Sequence, residues 1–112
     1  MENKKDKLDD LATCRGFSPV RTVKFRLGRI MITPGALAAL EWSGEDAEVY
    51  IRRHAVLDPG DLSPQDQAAN LEALKDGARI LSAFRLADGN TRLWIITEAD
   101  RSRTTLMLPE EY

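Results

Sequence analysis

Residues 79–108 carry three segments in succession with the two-residue period of β-strands, and this run constrains the fold more than any other feature of the chain. Arg79 to Leu86 alternates loosely, with Ile80, Phe84 and Leu86 on one side. Asp88-Gly89-Asn90 follows, and the Asp-Gly pair supplies the positive φ of a tight hairpin loop. Thr91 to Thr97 contains Leu93-Trp94-Ile95-Ile96, the apolar run of a central strand covered on both faces. A polar connection, Glu98 to Ser102, leads to a last strand, Arg103 to Leu108, which Pro109 ends. Strands joined by such short links form an antiparallel meander.

The residues before the meander change period. Thr33-Pro34 and Ser63-Pro64 both read as an N-cap followed by proline at the first helical position, where the missing N–H is harmless. The first of these opens a helix from Gly35 to Trp42, with Ala36, Leu37, Leu40 and Glu41 at helical spacing. Ser43, with Asp46 three residues on, reads as the cap of a second helix. Its inner face carries Ala47, Tyr50, Ile51, His54 and Leu57, and Asp58-Pro59-Gly60 stops it. In the third helix Asp66 completes the capping box, and Ala68, Leu71 and Leu74, with Ala78 a turn further, make the inner stripe. Gly77 suits the residue after its end. Upstream, Val23, Phe25 and Leu27 alternate with Thr22, Lys24 and Arg26 as a half-buried strand; Gly28 bulges it and Ile30-Met31-Ile32 resumes it.

The expected fold class is therefore α+β. About three helices pack on an antiparallel sheet of three to five strands, in the order β-(β)-α-α-α-β-β-β. Residues 1–20, polar and without sustained period, read as a mobile N-terminal tail, and residues 21–112 as a single α+β domain. With 43% hydrophobic and 30% charged residues, the chain can fold without staples. Its one cysteine, Cys14, allows no internal disulfide and no Cys/His zinc set. No secretory pattern opens the chain and no apolar run approaches the ~20 residues that span a bilayer, so a cytoplasmic location without membrane contact is expected.

Charge is unevenly placed. Residues 16–40 hold Arg21, Lys24, Arg26 and Arg29 and no acid, whereas residues 41–76 hold nine acids against three bases. Such a dipolar molecule can steer a charged partner without presenting a broadly basic surface.

Catalytic motifs are sparse. There is no phosphate-binding glycine loop, dinucleotide fingerprint or serine elbow, and Asp58, Asp61 and Asp66 do not match a calcium loop. No metal and no cofactor is expected. His54, the sole histidine, is the simplest general acid–base near neutral pH; paired with an arginine such as Arg79 (or Arg53 or Arg92) it would suit metal-independent ribonuclease chemistry. Glu98, Asp100, Arg101 and Arg103, with Thr104, form a candidate recognition loop carried by the hairpin.

The block WIITEADRSRTTLMLPEEY at residues 94–112 resembles a family of small plasmid-related proteins, carried on plasmids and integrative conjugative elements. Further matches are Leu27 to Ile30, Thr33 to Leu37, Arg53-His54, Gly60 to Leu62, Asn70 and Gly77 to Ser82, so the resemblance covers about residues 27–112. It implies a passenger of mobile DNA in a bacterial cytoplasm, and it draws attention to His54, Asn70, Arg79, Glu98, Asp100 and Arg101. The function expected first is a non-catalytic accessory protein that binds a protein or nucleic-acid partner. A small barnase-like ribonuclease using His54 and Arg79 is the alternative, and a structural homodimer through the first strand is a third.

Overall fold

Caps decide where the helices begin in the computed structural model, which describes residues 23–112; the tail expected over residues 1–20, Cys14 and Thr22 lie outside the described residues. Thr33 opens α1 (Pro34–Ser43), its hydroxyl accepting from Ala36 N at 3.2 Å. Ser63 opens α3 (Pro64–Asp76) in the same way, accepting from Asp66 N at 3.1 Å, and Gly77 closes it at φ 73°. The start of α2 (Ala47–Ala55) falls later than its sequence suggests. Ser43 is the last residue of α1, Gly44 leaves that helix in the left-handed region, and Asp46 caps α2 by accepting from Glu48 N at 3.0 Å. Two cap-type residues stand three positions apart, and the turn at Gly44 gives the role to the second.

Four strands follow the expected order around these helices: β1 (Arg29–Ile32), β2 (Ile80–Arg85), β3 (Arg92–Thr97) and β4 (Arg103–Met107). They lie side by side as β1-β4-β3-β2. The meander β2-β3-β4 is antiparallel, but β1 joins β4 in parallel, with Arg29 opposite Arg103 and Ile32 opposite Leu106. The sheet is thus mixed where a wholly antiparallel one was expected, because a period of two fixes which face a side chain takes but carries no information on strand direction. The strand expected from Thr22 to Leu27 is also shorter than predicted. Residues 23–28 are irregular: Phe25 and Leu27 do turn inward, onto Ala73 of α3 and Ile80 at the start of β2, but without strand pairing of their own. Gly28, at φ 67°, then brings the chain onto β4 so closely that a Cβ there would stand 2.4 Å from the Ser102 backbone.

All helical residues of the apolar clusters pack on one face of the sheet. Ala36 and Leu40 from α1 and Tyr50 from α2 meet Phe84, Leu86, Leu93, Ile95 and Leu106. Ala73 from α3 meets Ile80 and Phe25. The inner side of α3 differs from the expected stripe: Ala68 and Leu71 are exposed, and Asn70 and Ala73 are buried instead. Asn70 explains the rotation. Its amide donates to Leu81 O at 2.6 Å and accepts from Leu81 N at 3.1 Å, so it occupies the outer edge of β2 as a partner strand would. Asp61 N donates to Ala83 O at 2.8 Å on the same edge. That edge is closed. The opposite one, β1, keeps Ile30, Met31 and Ile32 exposed. No helix among the described residues is long and apolar enough to cross a membrane.

Candidate functional site

His54 projects from the inner face of α2, as its spacing predicts, but into the core and not into a cleft: none of its surface is exposed. Nδ1 lies 2.6 Å from Ser82 Oγ and Nε2 2.8 Å from Thr97 Oγ1; Thr97 Oγ1 lies 2.6 Å from Thr104 Oγ1, which donates to Leu27 O at 2.7 Å. The carbonyl at the end of this chain fixes the donors back to His54 Nε2, and the neutral state of the buried ring fixes the rest. Leu27 O can only accept, so Thr104 gives it its proton and must accept from Thr97. Thr97 then accepts from His54 Nε2–H, and the bare Nδ1 accepts from Ser82. The imidazole is neutral, and burial pushes it down to about 4. Phe25 closes the site edge-on at 5.2 Å between ring centroids.

The structure does not bring the residues of the catalytic reading together. His54 is wholly buried, and Arg79 does not join it: Arg79 donates to the Tyr112 hydroxyl at 2.5 Å and stands 3.9 Å from Glu98, partly exposed. Arg53, the other nearby candidate, is tied to Asp58 at 2.9 Å and lies 4.4 Å above the Phe84 ring. Arg92 pairs in register with Arg85 at the far end of the sheet.

The candidate recognition loop is equally constrained. Arg101, at φ 61°, turns its guanidinium onto Ala78 O (2.6 Å), Glu98 O (3.1 Å) and Ala73 O (3.3 Å). It therefore caps the carbonyl end of α3, where a cation is favoured, and lies over Phe25. Asp100 accepts from Ser102 N at 2.9 Å, and hydrogen bonding from Ser102 holds its carboxyl below the usual range. Thr104 is buried, so it cannot contact a ligand. Of the five loop residues, Arg103 remains as an exposed side chain with no hydrogen bond or ion pair among the described residues.

Arg103 has a neighbour that the linear sequence does not show. The parallel register sets Arg29 directly beside it, two guanidinium-bearing side chains on one face of adjacent strands. Like charges so placed destabilise a sheet; among the described residues neither forms a direct ion pair with a carboxylate, although Arg103 acts electrostatically on Asp100. Lys24 and Arg26 precede them on the segment whose Phe25 and Leu27 point inward, and both are exposed. This face of the sheet is the one away from the helices. It carries Met31, Thr105, Met107, Trp94, Ile96, Leu81 and Ala83 by register, and among the described residues no helix joins an apolar cluster on it. Tyr112 leans on it, its ring 5.7 Å from that of Trp94.

Comparison of the chain with protein-family models, with curated proteins and with solved structures returned no match. Sequence reading identified the basic segment 16–40 and Arg103 separately. It missed their convergence because that depends on the parallel pairing of β1 with β4.

Proposed function

We propose that this protein is a non-catalytic accessory factor of a mobile genetic element, working in the bacterial cytoplasm, and that it binds nucleic acid. The observation that carries this reading is the Arg29–Arg103 pair, two cations side by side on a sheet face with no described helix on it, with Asp100 acting on Arg103 only through charge and not through a direct ion pair. A phosphate between them would relieve their repulsion and gain two charge-assisted hydrogen-bonding groups. Lys24 and Arg26 extend the same positive region toward the start of the domain. The acids, concentrated in residues 41–76, keep the net charge at −2 and direct an anionic polymer to this one region. The resemblance to plasmid-borne proteins supplies the mobile-element context.

Fluorescence anisotropy with labelled DNA and RNA tests the reading. Arg29→Glu with Arg103→Glu should weaken binding by at least tenfold at low salt, while Arg52→Glu on exposed α2 should leave it near wild type. Equal affinity in all three proteins would refute it.

A second reading is favoured by the open β1 edge. Ile30, Met31 and Ile32 are exposed there and no described strand pairs with the outer edge of β1, whereas β2 is closed by Asn70 and Asp61. A second copy adding strand to strand there would give a homodimer. Sedimentation equilibrium should then show a dimer that Ile32→Lys dissociates; a monomer at high concentration removes this reading.

A further inference from the structure

The helix-free face of the sheet holds more than charge. Trp94 stands on β3 in the middle of the face, partly exposed, between Ala83 on β2 and Met107 on β4. Tyr112 meets it edge-to-face and is 70% exposed. Arg79, whose guanidinium carbon lies 6.0 Å from the Tyr112 ring centroid, completes an aromatic–cationic corner. The register relates this corner to the paired arginines. Trp94 is opposite Met107, and Arg103 lies four residues back along the same strand, so the two groups are separated by roughly 14 Å across the sheet. A few nucleotides of extended strand cover that distance. A duplex, with its bases stacked inward, can offer its phosphates to Arg29 and Arg103 but no ring face to Trp94.

We infer that the nucleic acid is single-stranded, with its phosphates held by Arg29 and Arg103 and a base stacked on the Trp94–Tyr112 corner. This rests on the nucleic-acid reading above and names its substrate class. Charge complementarity selects the occupant: the face presents Arg29, Arg103 and Arg92 at strand ends and no acid within the strands themselves, while Arg85 is held by Asp61 at 3.3 Å and Asp100 partly offsets Arg103. A partly apolar centre rimmed by cations is what an anionic chain with flat hydrophobic bases requires. An acidic peptide would satisfy the arginines but would gain nothing from stacking.

Trp42 lies on α1 and is 89% exposed, so Trp42→Phe leaves Trp94 as the sole tryptophan reporter at little structural cost. Three probes of equal length separate the contributions: an oligothymidylate, the same backbone with abasic sites, and a duplex. Thymidylate should quench Trp94 and bind roughly tenfold or more tightly than the abasic strand. Tyr112→Ala, at a surface position, should remove much of that difference while keeping the salt dependence. Trp94→Phe should retain binding and Trp94→Ala should lose it. If abasic strand and duplex bind as tightly as thymidylate and still depend on Arg29 and Arg103, stacking is refuted and the electrostatic reading survives. If none of the probes binds at low salt, both fall. Binding by acidic peptide alone overturns the inference in favour of a protein partner.

Discussion

The proton order around His54 has a measurable consequence for stability. The unfolded chain protonates histidine near 6.5, whereas the folded imidazole resists until about 4. Between those values the unfolded state holds the extra proton, so the stability due to neutral His54 is complete above pH 6.5 and is lost as pH falls toward 4. The slope is about 1.4 kcal/mol per pH unit, or about 3 kcal/mol over the window. Urea unfolding at a series of pH values should show this slope for wild type and a flatter one for His54→Leu; parallel curves would contradict it. Ser82→Ala leaves Nδ1 without a donor and should cost about 1–3 kcal/mol at neutral pH. The inward side of His54 was legible from helix spacing, but its partners were not. Ser82, Thr97 and Thr104 each lie two residues from a buried apolar side chain on their strand, Ile80, Ile95 and Leu106 respectively, and that phase marks them as inward despite their hydroxyls. Thr104, read from sequence as a ligand contact, belongs to this core.

Two elements are held by polar side chains that an apolar-stripe reading passes over. Asn70 carries both backbone groups of Leu81 on the sealed edge of β2, so Asn70→Ala should destabilise the fold by about 2–4 kcal/mol, one unsatisfied donor and one acceptor. A thermal melt within a degree or two of wild type would show that water replaces the amide freely. Arg101→Ala removes the contact with the α3 carbonyls and should cost about 1–2 kcal/mol, with little effect on nucleic-acid affinity. Loss of binding in a stable Arg101→Ala protein would return the loop to the ligand. The starts of α1 and α3, the hairpin at Asp88-Gly89 and all three meander strands were readable, because cap, proline and turn chemistry act locally. The rotation of α3 was not, since Asn70 faces inward to serve a strand eleven residues away. Nor was the direction of β1, since alternation does not encode it. Glu111 binds the Thr33 hydroxyl at 2.6 Å and Gly35 N at 3.1 Å, tying the 3-10 turn Pro109–Glu111 to the start of α1.

At the scale of the whole molecule, the described helices and the proposed binding surface occupy opposite faces of one sheet. The helical side contains the buried histidine network, and the helical segment 41–76 holds half of the acids; the other side contains the paired arginines and the aromatic corner. The charge imbalance along the sequence anticipated a polarised molecule, but only the parallel β1–β4 register joins segment 16–40 to Arg103. Binding through this surface should be dominated by counterion release. The direct measurement is the slope of log affinity against log salt for a single-stranded oligonucleotide. If Lys24, Arg26, Arg29 and Arg103 each meet one phosphate, the slope should be about −3, a loss of roughly 50-fold between 50 and 200 mM salt. Charge removal at Arg29 and Arg103 should reduce it by one to two units. A slope near zero, or one unchanged in the double variant, contradicts the assignment of this sheet face as the nucleic-acid surface.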